Sequence, residues 1–231
     1  DEVTQWMDRS GQHLFEPLPG TVARLEWCPY RPGQKVVHKY SGGWRFDFPL
    51  PNPMATPFGQ VAYSFVGAFD PEVKSIAAPV ILNARGTLQT HPTIGKGLFF
   101  RPNWTNQGIN GVDSYVFSGG ANGGVLGGSH SNIYQLGGAG QWHVIVAHHF
   151  DDGNGPLTQY YSPEASDTVP TNGLMHVPTD NTAIIVGARR YNPSGGTYTQ
   201  GEPMRIAHVG MWGQMDSPEK SQQLARVLNQ Q

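Results

Sequence analysis

The chain has 231 residues, a formal net charge of −2 and only 14% charged residues. It lacks the basic stripe typical of nucleic-acid-binding proteins, and no apolar run approaches the ~20 residues that cross a bilayer. Nucleic acid and membrane insertion are therefore not expected. With 30 Gly, 19 Pro and 38% hydrophobic residues, the composition favours short strands joined by tight turns around a core that needs no disulfide.

The cysteine content is the next constraint. Cys28 is the only cysteine, so an intrachain disulfide and a cysteine-based zinc site are excluded. The chain starts at Asp1, which is compatible with a processed terminus or an excised domain.

The first fifth of the chain predicts a strand at residues 3–6 that runs into a turn set by Asp8, Ser10 and Gly11. An Asp side chain accepts hydrogen bonds from nearby backbone N–H groups, and Gly permits positive φ. Residues 43–48 predict a second strand. Residues 49–59 contain four prolines, which indicates a rigid connection rather than a strand or a helix.

The middle of the chain alternates strand signals with Gly-rich segments. Strands are predicted at residues 63–69, 80–84, 97–101 and 115–117. Residues 103–133, rich in Gly and Asn, are interpreted as turns and bulges around the last of these strands. Their Gly runs lack the Gly-Lys-Ser/Thr ending of a phosphate-binding loop, so that interpretation is rejected.

The C-terminal third carries the densest strand pattern. Strands are predicted at residues 141–150, 158–161, 183–188 and 204–212, the first two joined by an Asp- and Gly-rich turn at 151–155. A helix is predicted at about residues 217–228, with Ser217 as N-cap, Pro218 at its first position and an apolar stripe formed by Leu224, Val227 and Leu228.

Two sets of residues resemble a known family. The opening pattern of Val3, Trp6, Asp8, Ser10 and Gly11 resembles the start of bacterial and phage laminin G-like domains of the concanavalin A-like superfamily. The order of the C-terminal elements is similar to the second half of that jelly roll: a strand with Trp142, an Asp-Gly turn, a Tyr-containing strand, an Ile-Val-Gly strand, a strand ending in Met211-Trp212 and a Ser-Pro-Glu helix.

The resemblance covers most of residues 3–228 and agrees with the strand count. It implies an all-β fold: a single-domain antiparallel β-sandwich of the concanavalin A-like jelly-roll type over residues 1–231, followed by the short helix.

The carboxylates of this chain do not match those of the family's hydrolases, which carry a Glu-x-Asp-x-x-Glu pattern on one strand face. None of the seven Glu residues forms this pattern. Asp70 and Glu72 come closest to this pattern, but Pro71 between them indicates a turn. No catalytic residue is therefore assigned, and a polysaccharide hydrolase or lyase is kept as an alternative.

Three histidines lie on one apolar strand. Alternation sends His148 to one face and His143 and His149 to the other, about 20 Å apart and too far to share a metal. They are interpreted as sheet histidines. A lyase pair of His148 with Tyr160 or Tyr161 stays an alternative.

Binding residues are sought in loops. Glycan contact needs an aromatic platform beside amides, which predicts a ligand site from Trp104, Asn106, Tyr191 and Asn192. Asp151, Asp152 and Asn154 could supply oxygen ligands to Ca²⁺, although the same residues suit a hairpin turn, and no other cofactor is expected.

The function expected from these observations is a non-catalytic binding or structural module. By analogy with the family, it would lie outside the cell, on a virion as a capsid-decorating or tail component, or on a bacterial surface. Its expected partners are other protein subunits, copies of itself included, and glycans. A stand-alone carbohydrate-binding lectin is the second alternative.

Overall fold

The computed structural model describes residues 1–47, 61–70, 82–86, 97–105, 108–117, 125–131, 140–151, 153–154, 156–163, 165–170, 181–190, 198–199, 203–212 and 217–230. The first nine strands are β1 (Trp6–Met7), β2 (Leu14–Pro17), β3 (Val22–Trp27), β4 (Lys35–Ser41), β5 (Trp44–Asp47), β6 (Val61–Phe69), β7 (Leu82–Gly86), β8 (Gly97–Thr105) and β9 (Gly108–Phe117). They are followed by β10 (Val125–Ser131), β11 (Trp142–Asp151), β12 (Pro156–Tyr161), β13 (Ser166–Pro170), β14 (Asn181–Val186), β15 (Arg189–Arg190), β16 (Tyr198–Thr199), β17 (Met204–Trp212) and the helix α1 (Pro218–Asn229).

Two antiparallel sheets form the scaffold. One has the strand order β1-β2-β5-β14-β7-β8-β9-β10, the other has the order β13-β12-β11-β6-β17-β4-β3, and β15 pairs with β16. With α1 as the helix of the described part, this arrangement confirms the predicted all-β sandwich. The described residues contain no helix long and apolar enough to span a membrane.

The N-terminal residues contact the β3 edge of one sheet and then form the β1 edge of the other. Val3 N donates to Ala23 O at 2.9 Å and Leu25 N donates to Asp1 O at 2.7 Å, so the first residues line β3 at the edge of one sheet. Trp6 and Met7 then pair with Phe15 and Leu14 in the other sheet. The strand predicted at residues 3–6 is therefore wrong in its bounds: these residues bond first to one sheet and then to the other.

The turn after β1 is held by one carboxylate, as predicted. Asp8 accepts hydrogen bonds from the Ser10 hydroxyl and from the backbone N–H groups of Gln12 and His13, and its Oδ2 lies 2.9 Å from His13 Nδ1. Burial raises the pKa of Asp8, but the hydrogen bonds from His13 and Ser10 outweigh it and hold this pKa well below its usual range.

Large side chains fill the inside of the sandwich. Trp44, Phe65, Phe69 and Ile145 are fully buried, and the rings of Phe65 and Phe69 stack with centroids 5.2 Å apart. Trp6 meets Trp44 edge-on at 5.3 Å.

The helix covers part of the seven-stranded sheet. Ala225 and Leu228 pack against Val144, Val146 and Tyr161. Ser217 caps the helix by accepting from Lys220 N, and Pro218 stands at the first turn, as predicted.

The Gly-rich middle differs from the prediction. Instead of turns around one strand, residues 97–105, 108–117 and 125–131 form the ladder of β8, β9 and β10, with a bulge near Asn103. Backbone N–H and C=O groups pair whatever the side chain, so a Gly-rich segment joins a sheet when strands lie on either side of it.

Candidate functional site

The candidate site lies at the β3 edge, the outermost strand of the seven-stranded sheet. Residues 1–3 lie alongside β3, where Leu25 N donates to Asp1 O and Val3 N donates to Ala23 O. In an antiparallel ladder, residues that bond outwards alternate with residues that bond inwards. Since Leu25 N bonds outwards to Asp1, the backbone groups of Trp27 also point away from β4.

Two apolar side chains are exposed at this edge. Trp27 is 65% exposed and Leu25 is 37% exposed. Lys35 lies opposite Trp27 in the β3–β4 register, and its Nζ is 5.2 Å from the indole centroid. An exposed cation–π contact of this kind stabilises one orientation of the ring by about 0.5–1 kcal/mol, so the edge presents an aromatic group to solvent.

The turn between β3 and β4 is fastened to the helix. Cys28 N donates to Gln34 O at 2.8 Å and closes the turn, in which Gly33 adopts a φ of +81°. Arg31 Nη2 donates to Asn229 O at 2.7 Å, at the end of α1, where the helix dipole favours a cation. The guanidinium group of Arg31 also lies 5.9 Å from the Trp142 ring centroid.

A polar network lies next to this edge. Glu26 Oε2 is 3.0 Å from His38 Nδ1, and Asp70 Oδ2 is 2.6 Å from His38 Nε2. The residue His38 is only 4% exposed. The network joins β3, β4 and the residue that follows β6, although these segments are far apart in the sequence.

Arg205 and Tyr40 complete the network. Arg205 Nε is 3.2 Å from Asp70 Oδ1, a close ion pair without ideal hydrogen-bond direction. The Tyr40 hydroxyl donates to Glu26 Oε1 at 2.6 Å, and its ring centroid is 3.9 Å from that of His38. The hydrogen bond from Tyr40, followed by the contact with His38, lowers the pKa of Glu26, and the same bond raises the pKa of Tyr40.

The shifted carboxyl groups of the described residues are more acidic than usual. Glycoside cleavage needs a carboxylic acid whose pKa is raised so that it can protonate the leaving group. Among the described carboxyl groups with a shifted pKa, all three shifts are downwards: Asp8, Glu26 and Glu219. No group of three His, Cys, Asp or Glu side chains in the described ranges could hold a metal ion.

One of the residues predicted to bind a ligand lies in a strand rather than in a loop. Trp104 lies not in a loop but within β8, where it pairs with Ile109 next to the bulge. The loop was expected because Asn and Gly surround Trp104, but the antiparallel partner strand β9 extends the ladder to Thr105. Asn106, Tyr191 and Asn192 lie outside the described residues.

The turn predicted after β11 is confirmed. Asp151 ends the strand and pairs with Pro156, and Gly153 adopts a φ of +91°. Asn154 is exposed in this turn, and Asp152 lies outside the described residues. The proposed Ca²⁺ site stays a prediction.

His143 and His148 of β11 are buried, in agreement with the interpretation of these residues as sheet histidines. His143 pairs with Gly67, and His148 pairs with Ala62 and Gln159. Burial raises the pKa of Tyr161, so its phenol keeps its proton and is a poor base for the alternative lyase chemistry.

The sequence reasoning missed the strands that build the network, β3 and β4, and therefore its residues. A signal was present: Val36, His38 and Tyr40 alternate, and Pro32-Gly33 marks the turn before them. Asp70 was interpreted only as half of a pair with Glu72. Its contact with His38 depends on the order of strands in the sheet, which no local pattern contains.

Comparison with known proteins finds similar folds but no matching sequence family. No family model matches the chain, and no curated protein matches its sequence. Among solved structures, the botulinum neurotoxin serotype D binding domain matches 98% of this chain with a TM-score of 0.50 and 9% identity. A mutant of HCR D/C VPI 5995 matches 98% of this chain with a TM-score of 0.54 and 11% identity. The chain spans only 51% and 52% of these two solved chains, and at this identity the likeness shows the fold alone.

Proposed function

We propose that this chain is a non-catalytic binding module of a surface assembly, on a virion or a bacterial surface, and that it contacts protein subunits through the β3 edge. The proposal treats residues 1–231 as one domain. The observation that carries it is the 65% exposure of Trp27 on β3, next to the exposed Leu25 and in contact with Lys35.

The chemistry of the edge favours a protein over a small polar ligand. Aromatic side chains are enriched at the centres of protein interfaces, and an aliphatic neighbour such as Leu25 adds apolar area that a sugar hydroxyl would not use. The Nζ of Lys35 lies 5.2 Å from the Trp27 ring centroid, so the ring already has one contact before a partner docks. The likeness in fold to a domain named as a binding domain agrees with this role.

A second copy of this chain is the partner to which the proposal commits. A strand edge is self-complementary under twofold symmetry, because the same backbone groups and side chains meet on both sides. Trp27 of one copy would then face the edge of the other beside its Leu25.

Glycan binding is the second candidate. It is favoured by the position of Trp104 near the end of β8, two residues before Asn106 in the sequence. An aromatic ring together with an amide is a suitable sugar platform. This candidate places the ligand away from the β3 edge.

One experiment separates the two candidates. The chain and its Trp27→Ala variant are examined by sedimentation velocity over a range of concentrations and on a glycan array. Self-association that weakens at least about tenfold in the variant supports the proposal. Met7→Ala is the matched control, since Met7 is also exposed but lies on β1 of the other sheet. A chain that stays monomeric and binds sugar tightly would contradict the proposed self-association and support glycan binding.

A further inference from the structure

The face by which helix α1 packs on the sheet is small. Of its 12 residues, Ser221, Ala225 and Leu228 are buried, and Leu224 is partly buried against the same cluster. Leu228 is the one large apolar side chain among the three buried residues. An isolated helix of about this length is marginal in water, so α1 needs its contact with the sheet in order to stay folded.

Two hydroxyl groups are buried in this interface without a hydrogen-bond partner among the described residues. Ser221 lies on the buried stripe of α1, and Tyr161 of β12 packs in the same cluster as Ala225 and Leu228. Ser221 is 0% exposed and Tyr161 is 2% exposed, and neither hydroxyl oxygen is hydrogen-bonded. Each group gives up its hydrogen bonds to water when the helix docks, so both oppose the docked state.

Two side-chain hydrogen bonds fasten the helix near its two ends. Gln222 Nε2 donates to Ser162 O at 2.8 Å, just after β12. Arg31 Nη2, in the turn between β3 and β4, donates to Asn229 O at 2.7 Å. The second bond is charge-assisted and lies at the helix C-terminus, where the dipole favours a cation. Both bonds join α1 to other segments, so both break when the helix leaves the sheet.

The sheet under α1 does not depend on the helix for its backbone hydrogen bonds. Strand β11 pairs with β6 on one side and with β12 on the other. These ladders remain in place when α1 is lifted, and the side chains of Val66, Val144 and Val146 lose their cover. The helix can therefore separate from the sheet without unfolding it.

We propose that α1 is a releasable cover of the seven-stranded sheet: it detaches as a unit, exposes Val66, Val144 and Val146, and leaves the sheets folded. The buried hydroxyls of Tyr161 and Ser221 favour release, and the hydrogen bond from Arg31 opposes it. This device belongs to the single chain, so it stands or falls independently of the partner proposed above.

Native-state hydrogen exchange in D2O, followed by NMR on the whole chain, tests the release. The amides of residues 223–228 are expected to share one opening constant, at least about tenfold larger than that of the β11 amides. Their exchange should also depend only weakly on low urea concentrations, because lifting one helix exposes little surface. Equal protection of α1 and β11 would mean that the helix opens only with global unfolding. Protection that falls gradually towards Asn229 would mean fraying. Either result overturns the proposal.

Two variants should shift the opening in opposite directions. Tyr161→Phe keeps the ring and removes a buried hydroxyl without a partner, so exchange in α1 should slow by about tenfold. Arg31→Ala removes the charge-assisted bond to Asn229, so exchange in α1 should become about tenfold faster. Tyr40→Phe and Arg24→Ala are the matched controls. They make the same kinds of change at exposed positions on β4 and β3, and the opening of α1 should stay as it is.

The sign of the Tyr161→Phe effect is the decisive result. Slower exchange means that the hydroxyl disfavours the docked helix, as proposed. Faster exchange would mean that the hydroxyl is hydrogen-bonded when the helix is docked, and would overturn the role given to the buried hydroxyls. Exchange in Arg31→Ala that matches the natural chain would likewise contradict the fastening role of Arg31.

Discussion

Gly67 of β6 lies so close to the carbonyl oxygen of Arg205 in β17 that a Cβ atom at position 67 would overlap with it. Such a Cβ would also lie 2.7 Å from the ring of Phe65. The contact stands beside the bulge between Ile206 and His208, where β17 shifts its register against β6. Gly67 thus lets β17 approach closely enough for Arg205 to reach Asp70.

Gly67→Ala should therefore destabilise the fold. The added methyl group must push apart two hydrogen-bonded central strands, and overpacking of this kind costs about 1–3 kcal/mol. Urea unfolding would measure the change in the free energy of unfolding. An unchanged midpoint would show that β17 moves freely away from β6.

The two tryptophans Trp44 and Trp27 should respond in opposite ways. Trp44 is fully buried, so Trp44→Ala should cost about 3–5 kcal/mol of unfolding free energy. Trp27→Ala should change the stability by less than about 0.5 kcal/mol, because the ring is mostly in water. Thermal unfolding of both variants compares them directly. A large loss of stability in Trp27→Ala would mean that this ring serves the fold rather than a partner.

The docking of helix α1 gives a matched pair of adjacent positions. Leu228 is buried against the sheet and Val227 is 46% exposed. Leu228→Ala should cost about 2–5 kcal/mol, whereas Val227→Ala should cost well under 1 kcal/mol. Denaturant unfolding followed by circular dichroism would measure both, and equal effects would contradict the observed packing of the helix.

Acid should weaken the polar network through Glu26. Its pKa is lowered in the folded state from an ordinary value of 4.5, so the folded state prefers the ionised form. The stability that Glu26 contributes is then present above pH 4.5 and is lost as pH falls through the lower folded-state pKa.

Tyr40→Phe tests this dependence, because the Tyr40 hydroxyl is the main cause of the lowered pKa. The variant should lose less stability than the natural chain between pH 6 and pH 3, since its Glu26 titrates closer to the ordinary value. Urea midpoints measured at several pH values give the two slopes. Parallel slopes would show that the Tyr40 bond does not discriminate between the protonation states of Glu26.

Much of the scaffold could be predicted from local patterns. Strand β17 occupies residues 204–212, as predicted, because apolar and β-branched residues recur along it on both sides of the single Gly210. The helix begins after Ser217 as expected, because a cap, a proline and an apolar stripe coincide. These signals lie within a few residues of the structure they specify.

The site could not be predicted in the same way. Glu26, His38, Asp70 and Arg205 come together because β3, β4, β6 and β17 are neighbours in one sheet, and a strand order of this kind depends on the packing of the whole chain. Local sequence specifies which segments become strands and where they turn, since propensity and turn chemistry act between near neighbours. Which strands lie side by side, and so which charged side chains come into contact, is decided only when the sheets bury their apolar faces together.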